Sequence, residues 1–177
     1  HISLFNAADQ WEEPFDPDGG YGTSISAGWR DLAWHLGTSL LYGTRDDPDG
    51  DTFDQFAASV QWALNFWVIN GWPIIYMGEY HLNSQWPVDD ESSHGLSAFH
   101  EFGWLVTKGL NTTLRYDWAD PNVEYAYDSQ HRINVGFEFY PVQFLEIIAR
   151  YRHNWTHHED RFSVDSDEVL LMLHGWY

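Results

Sequence analysis

The chain has 177 residues, of which 27 are acidic and 8 are basic, so its formal charge at pH 7 is −19. This charge argues against nucleic acid as a partner, because too few cations are present to neutralise a row of phosphates. The chain has no cysteine, and no segment is apolar over the ~18 consecutive residues that a transmembrane helix requires. The aromatic content of 18%, with 11 Trp, is high and typical of proteins whose rings lie at membrane–water interfaces.

Apolar and polar side chains alternate along most of the chain. In chain order, the clearest runs cover 33–42, 55–68, 110–118, 132–140, 145–152 and 168–177. A period of two places the apolar residues of each run on one side of a β-strand, whereas a helix would scatter them. The runs predict about ten strands, with lengths near the ~9–11 residues that cross a bilayer at a tilt.

Short and long connections alternate between these runs. Short turns are predicted at 31–32, 69–71, 108–109 and 141–142, and long polar links at 10–20, 44–54, 84–95, 119–130 and 154–166. This rhythm predicts an all-β fold, an antiparallel up-and-down transmembrane β-barrel with short periplasmic turns and long acidic external loops. We expect residues 1–177 to form a single barrel domain, either closed with about ten strands or the C-terminal part of a larger barrel.

The alternation alone does not say which face points inward, since a soluble lipocalin-like barrel turns its apolar face inward. Aromatic side chains near the strand ends favour an outward apolar face, because such rings form girdles at membrane interfaces. The predicted girdle comprises Trp29, Trp34, Tyr42, Trp62, Trp72, Tyr80, Trp104, Tyr116, Trp118 and Tyr151.

The last run ends on an aromatic residue, with Val169, Leu171, Leu173, Gly175 and Tyr177 on one face. This pattern looks like the C-terminal signal that the outer-membrane assembly machinery reads in barrel proteins. It predicts location in the bacterial outer membrane, with lipid, lipopolysaccharide and the assembly machinery as partners.

Four segments carry a resemblance to a known family. They are HISLFNAAD at the start of the chain, GLNTTLRYDWADPN, HRINVGFEFYPVQFLEIIARYRHN with its Tyr-Pro-x-x-Phe turn, and DEVLLMLHGWY at the end. In their general pattern of residues, these segments loosely resemble the phosphate-selective porins O and P, whose members are much longer. The resemblance implies an outer-membrane porin, and the family name implies anions as solutes.

The polar faces carry charges that would line the lumen of such a barrel. The predicted lumen residues are Arg115, Arg132, Arg150, Arg152, Glu101, Asp117, Glu138 and Glu146. In a wide, hydrated pore these charges would set ion selectivity. In a narrow closed barrel they would form a salt-bridge network that holds the wall together. The carboxylates of the loops would attract cations to the mouth, in conflict with the anions that the family name implies.

The loop at 45–54 alternates Asp with Gly, as in the start of a calcium-binding loop. Its candidate ligands are Asp46, Asp47, Asp49 and Asp51. The Asp-Pro-Asp-Gly sequence in this loop is equally typical of a β-turn without a bound metal. No cofactor is expected beyond weakly bound divalent cations in the loops.

Three functions follow from this pattern. The first is a porin-like channel for passive passage of small hydrophilic solutes or ions. The second is a structural or partner-binding barrel, such as an anchor or a sheath around a multihaem cytochrome, with a second copy or another protein as partner. The third is an enzyme active at the barrel rim. We expect no enzyme, because no nucleophile–base pair has a recognisable spacing.

Overall fold

A computed structural model of the chain describes residues 2–7, 20–46, 52–87, 92–125, 127–156 and 165–175. These residues form a single antiparallel sheet whose strands follow one another in chain order. The strands are β1 (Ile2–Ala7), β2 (Gly20–Arg30), β3 (Trp34–Asp46), β4 (Thr52–Asn65), β5 (Ile74–Pro87), β6 (Ser93–Thr107), β7 (Leu110–Asp120), β8 (Gln130–Val142), β9 (Leu145–Thr156) and β10 (Ser166–Gly175).

The prediction of an all-β, up-and-down antiparallel fold is confirmed. Nine long strands, β2–β10, each pair with their neighbours in sequence, and the six-residue β1 adds to the edge of β2. Within the described ranges, β1 pairs only with β2 and β10 only with β9. No described helix is both long and apolar enough to cross a membrane.

Two details of the predicted connections are wrong. The strand predicted to run to Val68 ends at Asn65, and α1 (Phe66–Asn70) follows it. The Asn65 side chain accepts a hydrogen bond from the Trp67 N–H at 3.1 Å, and Gly71 ends the helix at φ 81°. Both are standard helix caps, so the local sequence favours one helical turn over a continued strand.

The second difference concerns the links after β3 and β5, which begin later in the chain than predicted. β3 continues to residue 46 and β5 to residue 87, because a ladder of backbone hydrogen bonds does not require apolar side chains. The turn predicted at 141–142 lies instead at 143–144, since β8 has an irregularity in register between Phe139 and Val142.

The two ends of the sheet are named here by their connections. The turn end holds the connections 31–33, 66–73, 108–109 and 143–144. The link end holds the opposite strand ends, at Asp46, Thr52, Pro87, Ser93, Asp120, Gln130, Thr156 and Ser166.

The sheet is a single layer without a packed apolar core among the described residues. Its buried apolar side chains are Ala57 and Ile148, and no large side chain is fully buried. Most of the exposed large apolar side chains on the strands lie on one face, as with Leu36 at 51% and Leu114 at 51%. Contact of such a surface with water is unfavourable, and large exposed apolar patches are typical of surfaces that contact a membrane, a ligand or another protein.

Candidate functional site

The predicted lumen charges meet on the polar face of the sheet, where four neighbouring strands carry them. The register places Arg115 of β7 opposite Glu101 of β6, and Asp117 opposite Arg132 of β8. Side chains directly opposite each other in an antiparallel pair lie close enough to interact. We call the assembled group the arginine cluster; its members are Glu101, Arg115, Asp117, Arg132, Asn134, Glu138, Arg150, Arg152 and Glu168.

Asp117 is the hub of the arginine cluster. Its Oδ1 accepts a hydrogen bond from Nε of Arg115 at 2.7 Å and lies 2.7 Å from Nη2 of the same residue in an ion pair. Its Oδ2 accepts from Nε of Arg132 at 3.0 Å and from Nδ2 of Asn134 at 2.9 Å. One carboxylate therefore binds two guanidinium groups and an amide, with its side chain only 16% exposed.

Arg115 is held from three sides. Besides Asp117, its Nη1 lies 3.5 Å from Oε2 of Glu101. Its guanidinium carbon lies 4.1 Å from the centroid of the Phe99 ring, a distance at which the ring attracts the cation. These contacts fix the orientation of Arg115 on the sheet.

The remaining arginines have separate acidic partners. Nη2 of Arg150 lies 3.2 Å from Oε1 of Glu138. Arg152 donates from Nε to Oδ1 of Asn134 at 2.9 Å, and its Nη1 lies 2.9 Å from Oε2 of Glu168. Asn134 thus links Asp117 to Arg152, so the polar contacts continue from β6 to β10.

Two open cavities adjoin the cluster. The smaller one, of about 300 Å³, is lined by Glu101, Thr113, Arg115, Arg132, Asn134, Gly136, Glu138, Arg150 and Arg152. The larger one, of about 470 Å³, extends toward the link end and is lined by Arg115, Arg132, Asp117, Glu79 and His81, among others. Four of the chain's eight basic residues line the smaller cavity, so basic residues are concentrated on this part of the sheet.

Seven of the predicted lumen residues belong to the cluster, and Glu146 does not. Glu146 accepts a hydrogen bond from the Tyr140 hydroxyl at 2.6 Å and lies 3.1 Å from Nδ1 of His174. These contacts hold it near the turn end, while Arg150 forms its ion pair with Glu138. Sequence reasoning missed Asn134 and Glu168 as cluster members. The register Arg152–Glu168 would have identified Glu168, but strand pairing was unknown from sequence.

The predicted aromatic girdle lies on the opposite, apolar face, with one exception. Trp72 belongs to the connection after α1 and not to a strand. Trp62 and Trp118 are half-buried, and the other predicted rings are exposed. Trp62 is covered because it packs against the Tyr80 and His100 rings, with centroids 5.5 and 5.8 Å away.

The predicted assembly signal is described as far as Gly175, and Tyr177 lies outside the described residues. Val169, Leu171 and Leu173 point to the apolar face of β10 and are 69–79% exposed. Their partners on β9 are Tyr151, Ala149 and Ile147. The predicted alternation of this strand is therefore present in the described part.

The candidate calcium ligands cannot be placed as a group. Asp46 ends β3, while Asp47, Asp49 and Asp51 lie outside the described residues. Among the described residues, no three acidic or histidine side chains are arranged to hold a metal ion.

Comparison with known proteins adds no relative: no protein-family model matches the chain, and no curated protein matches it.

Proposed function

We propose that the chain is an outer-membrane β-barrel, or part of one, that acts as a porin-like channel for small hydrophilic solutes or ions. One observation carries the proposal. The sheet is a single layer with exposed apolar side chains on one face and a partly exposed network of charges on the other.

The apolar face supports a membrane environment. Val60, Leu114 and Phe137, on three different strands, are each about half exposed, and no second layer among the described residues covers them. Lipid would cover these side chains at no cost, since acyl chains are as apolar as they are. Lipid and lipopolysaccharide are thus the proposed neighbours of this face.

The stagger of the strands supports closure into a barrel. A path straight across the hydrogen-bonded pairs begins at Trp29, beside the turn end of β2. It passes through Trp62 of β4, His100 of β6 and Ile133 of β8. It reaches Asp167 at the link end of β10. Strands that shift steadily in one direction are tilted, and a closed barrel requires this tilt and shear.

The polar face supports a hydrated interior. The four arginines of the cluster keep 31–41% of their side-chain surface exposed, although each is in an ion pair. In a sealed, dry interior, so many charges would be costly to desolvate. A water-filled lumen leaves them hydrated and available to passing solutes.

The first test concerns the membrane. We expect the purified protein to require detergent and to bind micelles, because its apolar face is exposed. A monodisperse protein in buffer without detergent would contradict the membrane assignment.

The second test concerns the channel and uses the absence of cysteine from the chain. Thr113→Cys places a thiol in the smaller cavity, and Leu114→Cys places one on the apolar face of the same strand. We expect stepwise currents in planar bilayers, which a charged, membrane-impermeant thiol reagent reduces in the Thr113 variant but not in the Leu114 variant. Absence of an open current at every voltage would exclude the channel.

A structural or partner-binding barrel is the second candidate. The full pairing of the arginines with carboxylates favours it, because such pairs also stabilise a wall that carries no solute. Purification from native membranes distinguishes the two candidates. A fixed stoichiometric partner, or haem that copurifies through high salt, together with no open current, would favour the structural barrel.

A further inference from the structure

The arginine cluster carries no net formal charge. Its four guanidinium groups face four carboxylates, those of Glu101, Asp117, Glu138 and Glu168. An oxyanion that entered the smaller cavity would have to compete with carboxylates already bound at 2.7–3.5 Å. The concentration of arginines therefore does not by itself make an anion-binding site.

Asp117 differs from the other three carboxylates because it forms ion pairs with two arginines at once. It binds Arg115 through Oδ1 and Arg132 through Oδ2. The bond to Arg132 uses Nε, and the two Nη atoms of that residue have no partner within the described part of the chain. Arg115 and Arg132 are also the two arginines that line both cavities. A solute moving between the cavities would pass the site that Asp117 controls.

The rest of the chain is strongly acidic. With the cluster balanced, the formal charge of −19 resides outside it. A negative potential raises the local concentration of cations and lowers that of anions.

We infer that Asp117 is the specificity-determining residue of the proposed channel: it keeps Arg115 and Arg132 in ion pairs, so that the channel favours cations over anions. The inference rests on the proposed channel function. Without the Asp117 carboxylate, Arg132 faces the lumen without an acidic partner and Arg115 keeps only Glu101, at 3.5 Å. Guanidinium groups bind oxyanions strongly and with two parallel bonds.

The test is Asp117→Asn, which keeps the shape of the side chain and removes its charge. In the wild type we expect a potassium-to-chloride permeability ratio above unity and no block by inorganic phosphate. In the variant the ratio should fall below unity, and phosphate should block the chloride current.

Glu79→Gln is the matched control. Glu79 lines the larger cavity with Arg115 and Arg132 but makes no ion pair within the described residues. The substitution removes the same charge without releasing an arginine. A shift in the permeability ratio as large as that of Asp117→Asn would mean that only total charge matters, and would overturn the inference.

Further variants guard against a folding defect. Glu138→Gln releases Arg150 alone, so we expect a shift in the same direction but smaller. Arg132→Gln added to Asp117→Asn should abolish the phosphate block. If Asp117→Asn does not fold, the shift in permeability ratio of Glu138→Gln is compared with that of Glu79→Gln. A larger shift in Glu138→Gln supports the inference, and an equal shift contradicts it.

The two proposals fail in different ways. If the folded wild type gives no current, the proposed channel function is wrong. If the wild type conducts but Asp117→Asn and Glu138→Gln leave its selectivity unchanged, only the inference about Asp117 is wrong. Calorimetric titration of phosphate into detergent-solubilised protein gives a readout without current. Binding to Asp117→Asn but not to the wild type supports the inference, and equal binding to both contradicts it.

Discussion

The Trp62 ring of β4 lies directly over Gly78 of β5, its partner across the ladder. A Cβ atom on Gly78 would lie 2.5 Å from Cζ2 of the Trp62 ring and 3.0 Å from the carbonyl oxygen of Phe99. Because Gly78 has no side chain, the indole ring of Trp62 occupies the space above it. Glycines in strands commonly mark such sites of close approach.

Gly78→Ala should therefore destabilise the protein. The added methyl group must displace the Trp62 ring, and overpacking of this kind costs about 1–3 kcal/mol. Gly103→Ala is the control, since its Cβ would meet no atom closer than 3.9 Å. Urea unfolding in lipid vesicles, followed by tryptophan fluorescence, measures both variants. Equal stability of the two would show that the Trp62 ring moves aside at no cost.

Adjacent charges on β4 should distinguish the two faces of the sheet. Val60 is 46% exposed on the apolar face, and Gln61 follows it on the polar face. In a bilayer, Val60→Arg should cost about 2–4 kcal/mol if the position lies near the midplane, because lipid cannot solvate the charge. Gln61→Arg should cost little. Folding yield into vesicles reports the difference, and equal yields would contradict a lipid-facing Val60.

The two turn glycines should respond to alanine to different degrees. Gly71 and Gly109 adopt φ values of 81° and 80°, and a Cβ in this left-handed region costs about 1–2 kcal/mol. Nothing lies within 4 Å of a Cβ on Gly71, whereas one on Gly109 would lie 2.8 Å from the Tyr140 carbonyl oxygen. Gly109→Ala should thus lower the free energy of unfolding more than Gly71→Ala. The reverse order in urea titrations would refute this account of the β6–β7 turn.

Loss of the hydrogen bond between Tyr76 and His100 should lower the free energy of unfolding most when only one partner is removed. The Tyr76 hydroxyl lies 2.8 Å from Nδ1 of His100 on the apolar face. Tyr76→Phe leaves this imidazole nitrogen without its partner, at a cost of about 1–3 kcal/mol in an apolar setting. The double variant Tyr76→Phe with His100→Phe should recover most of that loss. A double variant less stable than Tyr76→Phe would show that the His100 imidazole has a further role.

Much of the fold was predictable because it depends on local pattern. The alternation along Phe56, Ala58 and Val60 requires only that successive side chains of a strand point to opposite faces. The helical turn after Asn65 was also encoded locally, by the Asn65 and Gly71 caps, but the alternation of Phe66 and Val68 concealed it. Strand ends were less predictable, since backbone pairing extends through polar residues.

The charges of the candidate site were predictable, and their pairing was not. The sequence by itself determined that Arg115, Asp117 and Arg132 share the polar face, because parity within each strand decides it. Only the tertiary structure decided that Asp117 binds both arginines, since the register of β7 on β8 sets which residues are opposite. The register of β10 on β9 likewise places Glu168 opposite Arg152 and His174 opposite Glu146, so that Glu168 joins the cluster. Register depends on turn geometry and on the pairing of whole strands, which no single strand's sequence contains.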